Sequence, residues 1–168
     1  MKHFFMKGLP INTHTFEKIR ANDYLYVDKT HFIEQLVNRD TYYFLSRPSR
    51  FGKSLLLTTL KAYFQGKKAL FDGLYIAEKE QNWTVYPVIH IDYSLVEYKQ
   101  GKTVFHNSPR FNLQYNADRY DIKLSETTVA NAFVELVSAL QAKFRQKVVF
   151  HHLLTHSANF LQDSLKLL

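Results

Sequence analysis

The sequence predicts an α/β fold with a parallel sheet flanked by helices. Three observations carry this expectation. Thr41-Tyr42-Tyr43-Phe44-Leu45 and the run from Val85 to Ile91 are apolar on both faces, as strands covered by helices on either side are. Helical stripes at three-and-four spacing alternate with those runs. The 168 residues contain no internal repeat, low-complexity segment or obvious linker, which suits one domain of the usual size, about 100–200 residues.

Pro10 opens the folded part, and Phe16, Ile19 and Arg20 predict a short helical turn that ends at Ala21-Asn22-Asp23. Tyr24-Leu25-Tyr26-Val27 is a short extended run of aromatic and β-branched residues. Asp28 stands as an N-cap before Phe32, Ile33, Leu36 and Val37, which recur at helical spacing up to Asn38. After the strand 41–45 comes the loop 46–52, then a helix from Lys53 to about Gln65 with Gly66 as its stop. Val85 to Ile91 forms a second strand, and Pro87 places it at a sheet edge or places Pro87 among its first residues. The stretch from Glu97 to Lys123 shows no clear period and reads as loop with one helical turn. Ser125 is the expected N-cap of the strongest helix, whose stripe is Val129, Phe133, Leu136, Val137, Leu140 and Phe144. Lys147-Val148-Val149-Phe150 begins a third buried strand.

Composition narrows the function classes. No apolar run approaches the roughly 20 residues of a membrane span, and the start, with Lys2 and Lys7 but no long apolar stretch, is not a secretory signal. Zero cysteines exclude disulfides, thiolate metal sites and a cysteine nucleophile, so the chain reads as cytoplasmic. The net charge is +7, and it is concentrated. Between Thr41 and Phe71 stand six basic residues, Arg47, Arg50, Lys53, Lys61, Lys67 and Lys68, and no acidic one, a segment that attracts an anion. A solvated helix face accounts for the last three but not for the crowding of Arg47, Arg50 and Lys53.

The informative spot is strand, loop, Gly52-Lys53-Ser54, helix. Backbone N–H groups at a helix N-terminus face an anion, and the helix dipole favours it. In a phosphate loop glycine lets the backbone approach, lysine reaches the terminal phosphates and the hydroxyl ligates magnesium, and Gly52, Lys53 and Ser54 follow that order. The standard spacing wants a further glycine where Arg47 stands.

Four segments occur in series: Tyr26-Val27-Asp28-Lys29-Thr30, then Arg47-Pro48-Ser49-Arg50-Phe51-Gly52-Lys53-Ser54-Leu55, then residues 70–77, then Tyr86 to Ser94. That series resembles the AAA-ATPase-like family, bacterial P-loop proteins often joined to a PD-(D/E)XK nuclease-like domain, over about residues 8 to 149. The family loop has the form Arg-Pro-x-Arg-Phe-Gly-Lys-Ser, so Arg47 looks like a family trait. The resemblance implies a P-loop NTPase-like sheet over 8–150, ATP and Mg²⁺ as ligands, and residues 47–55 as the binding loop. It puts Lys53 on the phosphates, Ser54 on magnesium, and Arg47 and Arg50 at further phosphate contacts. It also implies nucleic acid as a partner of the nuclease-like domain.

The family pattern next requires an apolar strand running into an Ile-Asp-Glu-Tyr-Asp box, whose acidic pair holds magnesium and orients water. Here Phe150 is followed by His151-His152-Leu153-Leu154-Thr155-His156, with no acidic residue before Asp163. Residues 151–168 therefore read as a divergent tail, and the chain as the N-terminal part of such a protein, cut before the acidic box and weak or inactive in hydrolysis. His152 and His156 share a face if helical, but no third ligand is placed to complete a metal site, and an incidental polar tail is the plainer reading. Asp92, closing an apolar strand, is a second magnesium candidate beside a role in closing the turn into Ser94. Two other readings stand beside nucleotide binding: a basic module that grips nucleic-acid phosphate, and a remnant without function whose exposed sheet edge favours aggregation.

Overall fold

A computed structural model describes residues 7–13, 15–39, 42–45, 51–92, 96–99, 102–105, 109–153 and 163–167. The chain divides into two compact units, one of residues 1–40 with 49–84, the other of residues 41–48 with 85–168.

The first unit is helical: α1 (Phe16–Ala21), α2 (His31–Arg39), α3 (Lys53–Phe64), a 3-10 turn (Lys68–Phe71) and α4 (Tyr75–Lys79). Its centre is aromatic. Phe16 and Phe71, both fully buried, meet at 4.8 Å between ring centroids, and Phe71 meets Trp83 at 5.1 Å. Tyr63 on α3 joins Trp83 at 5.6 Å, and its hydroxyl donates to Glu80, which also accepts the Asn82 N–H. Burying such rings contributes about 1.5–3 kcal/mol each, which offsets the short helices' poor intrinsic stability. Arg20 ties α1 to the far side of the 3-10 turn, donating to the Leu70 and Asp72 carbonyls at 2.7 and 2.6 Å.

Asp28, expected as the N-cap of α2, stands three residues before its first residue His31 and bonds Thr30 at the cap position. Its Oδ1 accepts the Thr30 N–H and hydroxyl at 2.8 and 2.7 Å, shaping the entry to α2, while Oδ2 accepts the Tyr75 N–H at 2.7 Å at the start of α4. The buried Thr30 hydroxyl in turn accepts the Ile76 N–H at 3.1 Å. Two side chains at 28 and 30 thus shape the approach to α2 and satisfy the first two N–H groups of α4.

The second unit holds β1 (Tyr42–Leu45), β2 (Val88–Asp92), the hairpin β3 (Val96–Lys99) and β4 (Lys102–Phe105), α5 (Pro109–Asp118), α6 (Val129–Phe144), β5 (Val149–Leu153) and β6 (Asp163–Leu167). Four strands form one sheet in the order β1-β6-β5-β2. Only β2 and β5 run parallel, with His90 opposite His151; β6 is antiparallel to both β5 and β1. The expected parallel sheet is present as the β2–β5 pair, but the sheet as a whole is mixed, because β6 returns antiparallel between β5 and β1. Against the parallel pair pack α5 and α6, with Ile89, Ile91, Leu113, Ala117, Ala132, Leu136, Leu140 and Val148 as the core.

Three further expectations are corrected. The stretch read as loop, 97–123, contains most of a hairpin and the ten-residue α5. The helix after it is capped by Thr128, whose side chain accepts the Asn131 N–H, and not by Ser125. Ser125 instead donates its N–H and hydroxyl to Glu135 in the second turn of α6, and those bonds together with the Glu126 N–H hold that carboxyl below the usual range. The stretch from His151 is not simply a polar tail, since β5 continues through Leu153 and β6 follows. Pro87, by contrast, sits just before an end strand of the sheet, as its chemistry demands.

Candidate functional site

Gly52 is the N-cap of α3 and adopts the left-handed conformation, φ 79° and ψ 13°. A residue with a Cβ is strained there, although an added Cβ meets nothing within 4 Å, so the requirement is for backbone conformation and not for space. The Gly52 carbonyl accepts the Leu56 N–H at 2.9 Å and closes the first helical turn. First-turn N–H groups have no intrahelical acceptor, and glycine has no side chain to supply one. No acidic residue lies in that turn either, so the positive end of the α3 dipole is not offset by one from within the helix.

Lys53 is the first helical residue and only 7% exposed, an unusual burial for an ammonium-bearing side chain. Ser54 and Leu55 are half-buried, and Phe51 is 63% exposed. Arg47, Pro48, Ser49 and Arg50 lie outside the described residues, so the expected crowding of Arg47 and Arg50 with Lys53 rests on the sequence. The helix α3 belongs to the first unit and β1 to the second.

Asp92 is the last residue of β2, in register with Leu153 of β5. His151 stands in β5, fully buried, its ring 4.6 Å from that of His90 in an edge contact. His152 is a strand residue opposite Ile91, so a shared helical face with His156 is ruled out; His156 itself lies outside the described residues. Among the described residues no three His, Asp or Glu side chains gather to hold a metal. No helix among them is long and apolar enough to cross a membrane.

The chain can also be set beside known proteins. A family profile described as predicted AAA-ATPase matches residues 10–151, most of the chain. The chain belongs to the predicted AAA-ATPase family. This AAA-ATPase-like chain is also 50% identical over 88 residues, 52% of its length, to a protein of Azotobacter chroococcum mcd 1 named "Uncharacterized protein in vnfD 5'region". The match spans 17% of that relative's length. No solved structure matches the chain.

Sequence reasoning missed the side chains that hold the family's first segment in place. Asp28 was legible as a polar residue at the entry to α2, but its bond to the α4 start was not, because nothing local links residue 28 to residue 75. Asn116 and Tyr120, which bind the backbone of β2, had no signal at all, since the helix carrying Asn116 was not expected.

Proposed function

We propose that this AAA-ATPase-like chain binds a nucleoside triphosphate, ATP with Mg²⁺, through the loop 47–55. The observation that carries the reading is the left-handed Gly52 opening a twelve-residue helix directly onto Lys53 and Ser54. That arrangement turns several N–H groups and one end of a helix dipole toward a single point, where phosphate is the natural occupant. Family membership supports the same reading. Lys53 reaches the terminal phosphates, Ser54 offers one oxygen to magnesium, and Arg47 and Arg50 add positive charge around the loop.

Turnover is weak in this reading. Where the family resemblance calls for an acidic pair, β5 carries His151-His152, and imidazole is a poor ligand for a hard ion that prefers oxygen. Asp92, at the end of a strand paired with β5, is the carboxylate this reading takes first as a substitute. Binding survives, because the loop acts on phosphate directly.

Titration with a fluorescent ATP analogue in the presence of Mg²⁺ tests the binding claim. Lys53→Ala should weaken affinity at least about tenfold, the loss of one charge-assisted contact. Equal affinity in wild type and variant, with matching circular dichroism, sinks the assignment. Phosphate release is expected to be absent or marginal; robust turnover destroyed by Lys53→Ala and Ser54→Ala would transfer the acidic role to another carboxylate, Asp92 first.

A further inference from the structure

The helices α5 and α6 end side by side, and cations gather at the junction. The Lys143 ammonium in the last turn of α6 donates to the Tyr120 carbonyl, just past the end of α5, at 2.5 Å. The Tyr120 ring meets Phe144 at 5.5 Å, and the Arg119 guanidinium lies over the same ring at 5.8 Å. The Tyr120 hydroxyl accepts the Val88 N–H at the start of β2, and β5 begins beside it, where the Val149 N–H reaches the Pro87 carbonyl at 2.9 Å. Lys147 stands two residues before Val149, and Arg145 ends α6 in the left-handed conformation. Lys123 follows Ile122, whose N–H returns to the Ala117 carbonyl of α5 at 2.9 Å. Arg119, Lys123, Lys143, Arg145 and Lys147 are all exposed.

Cations at helix C-termini ordinarily answer the helix dipoles, whose negative ends amount to about half a charge each. Two such ends with the exposed Asp118 and Asp121 make about three negative charges against five positive ones. The junction keeps a surplus of about two positive charges. Among the described residues the side chains of Lys123, Arg145 and Lys147 make no ion pair or hydrogen bond, so that surplus faces solvent and attracts an anion from outside the chain.

The outer side of α5 leads aromatic surface to the same place. Phe111, Tyr115 and Arg119 follow at four-residue spacing, and the Arg119 N–H bonds the Tyr115 carbonyl at 3.4 Å, so the three share one side of the helix. Phe111 is 36% and Tyr115 48% exposed, about 6 Å apart along the helix axis. An acidic protein segment would use only the charges. Exposed rings running into a cluster of guanidinium and ammonium groups suit a ligand that carries phosphates and flat bases together. We propose that Tyr115, Arg119, Lys123, Arg145 and Lys147 form a binding surface for single-stranded nucleic acid, held by its phosphates and stacked on Tyr115 without readout of base sequence. The surface shares no residue with the loop 47–55, and the inference does not depend on nucleotide binding there.

The test is fluorescence anisotropy of a labelled oligothymidylate of about 15 nucleotides, titrated with the full chain at several salt concentrations. The logarithm of the affinity should fall against that of salt with a slope of about −3, four contacts at about −0.7 each. Reversing three charges, Arg119→Glu with Lys123→Glu and Lys147→Glu, should weaken binding at least about tenfold. The same reversal at the exposed Lys18, Lys68 and Lys79 of the first unit, or Lys53→Ala in the loop, should leave affinity within about threefold. Tyr115→Ala should lose about fivefold or more, and Tyr115→Trp should not. Equal losses from the two sets of reversals, or none from the first, overturn the proposal. So does poly-glutamate of equal charge binding as tightly as the oligonucleotide, which would assign the surface to an acidic protein segment. If the first triple variant does not fold, Lys123→Gln with Lys147→Gln decides: the slope should become shallower by about 1.4, and an unchanged slope refutes the surface.

Discussion

Replacing Asp28 by alanine removes one carboxylate that serves two helix starts. Three donors lose their acceptor: the Thr30 N–H, the Thr30 hydroxyl and the Tyr75 N–H. An N-cap deletion costs about 0.5–2 kcal/mol, and a hydrogen bond to a charged group about 1.5–3 kcal/mol. Water reaches this carboxylate and screens it, which keeps the total to about 2 kcal/mol. Denaturant unfolding followed by the fluorescence of Trp83, the one tryptophan in the sequence, reads the first unit directly. With a slope of about 1–2 kcal/mol/M in urea, the midpoint should fall by about 1–2 M at pH 7. Asp28→Asn keeps an acceptor oxygen and should lose about half as much.

The same residue sets a pH dependence. Burial pushes the Asp28 carboxyl up, but the bonds from the Tyr75 N–H and from Thr30, with a smaller contribution from His31, outweigh it and hold the carboxyl below the usual range. A carboxyl whose folded pKa lies below its unfolded value, about 3.9, stabilises the fold above that value. The contribution is lost as pH falls from there through the folded pKa. The gap between wild type and Asp28→Ala should therefore be full at pH 6–7 and shrink below about pH 4. An equal midpoint at pH 7, or a gap that persists undiminished in acid, refutes this account of the joint.

Further outcomes follow from burial and exposure. Leu136→Ala, at a fully buried position of α6, should cost about 2–5 kcal/mol in thermal or denaturant unfolding of the second unit. Tyr63→Phe removes the hydroxyl that Glu80 accepts and should cost about 1 kcal/mol, with a change in Trp83 emission because their rings touch. Lys7→Ala breaks an exposed ion pair with Asp23 and should shift stability by less than about 0.5 kcal/mol; a larger loss would mean the pair is not merely superficial.

Local chemistry made several elements legible and left others hidden. The helix α3 runs from Lys53 as expected because a glycine, a lysine-serine start and an apolar body all agree. The stripe of α6 is plain from Phe133 onward, with Leu136 and Leu140 buried one turn apart, while Val129 at its start is exposed. The helix α5 escaped notice for a physical reason: its buried face is Asn112, Leu113, Asn116 and Ala117, half of it polar, so it carries no apolar period. The strand β1 was found, but Tyr-Tyr-Phe-Leu says only that a strand is apolar and nothing about the direction of its neighbour, which is antiparallel. At the candidate site, the glycine and the start of the helix could be read residue by residue. The buried His151 beside His90 could not, because contact across a sheet is set by register and not by spacing in one segment.

The two units are interleaved along the chain, since residues 41–48 belong to the second while the first resumes at residue 49. This has a bearing on synthesis. The Phe71–Trp83 contact of the first unit needs only residues up to 83, whereas β1, made earlier, pairs with β6 near the end of the chain. About 120 residues separate Leu45 from Asp163, a wait on the order of ten seconds at ordinary elongation rates. Throughout that interval an apolar four-residue segment waits without its strand partner, and it is the segment a chaperone would hold.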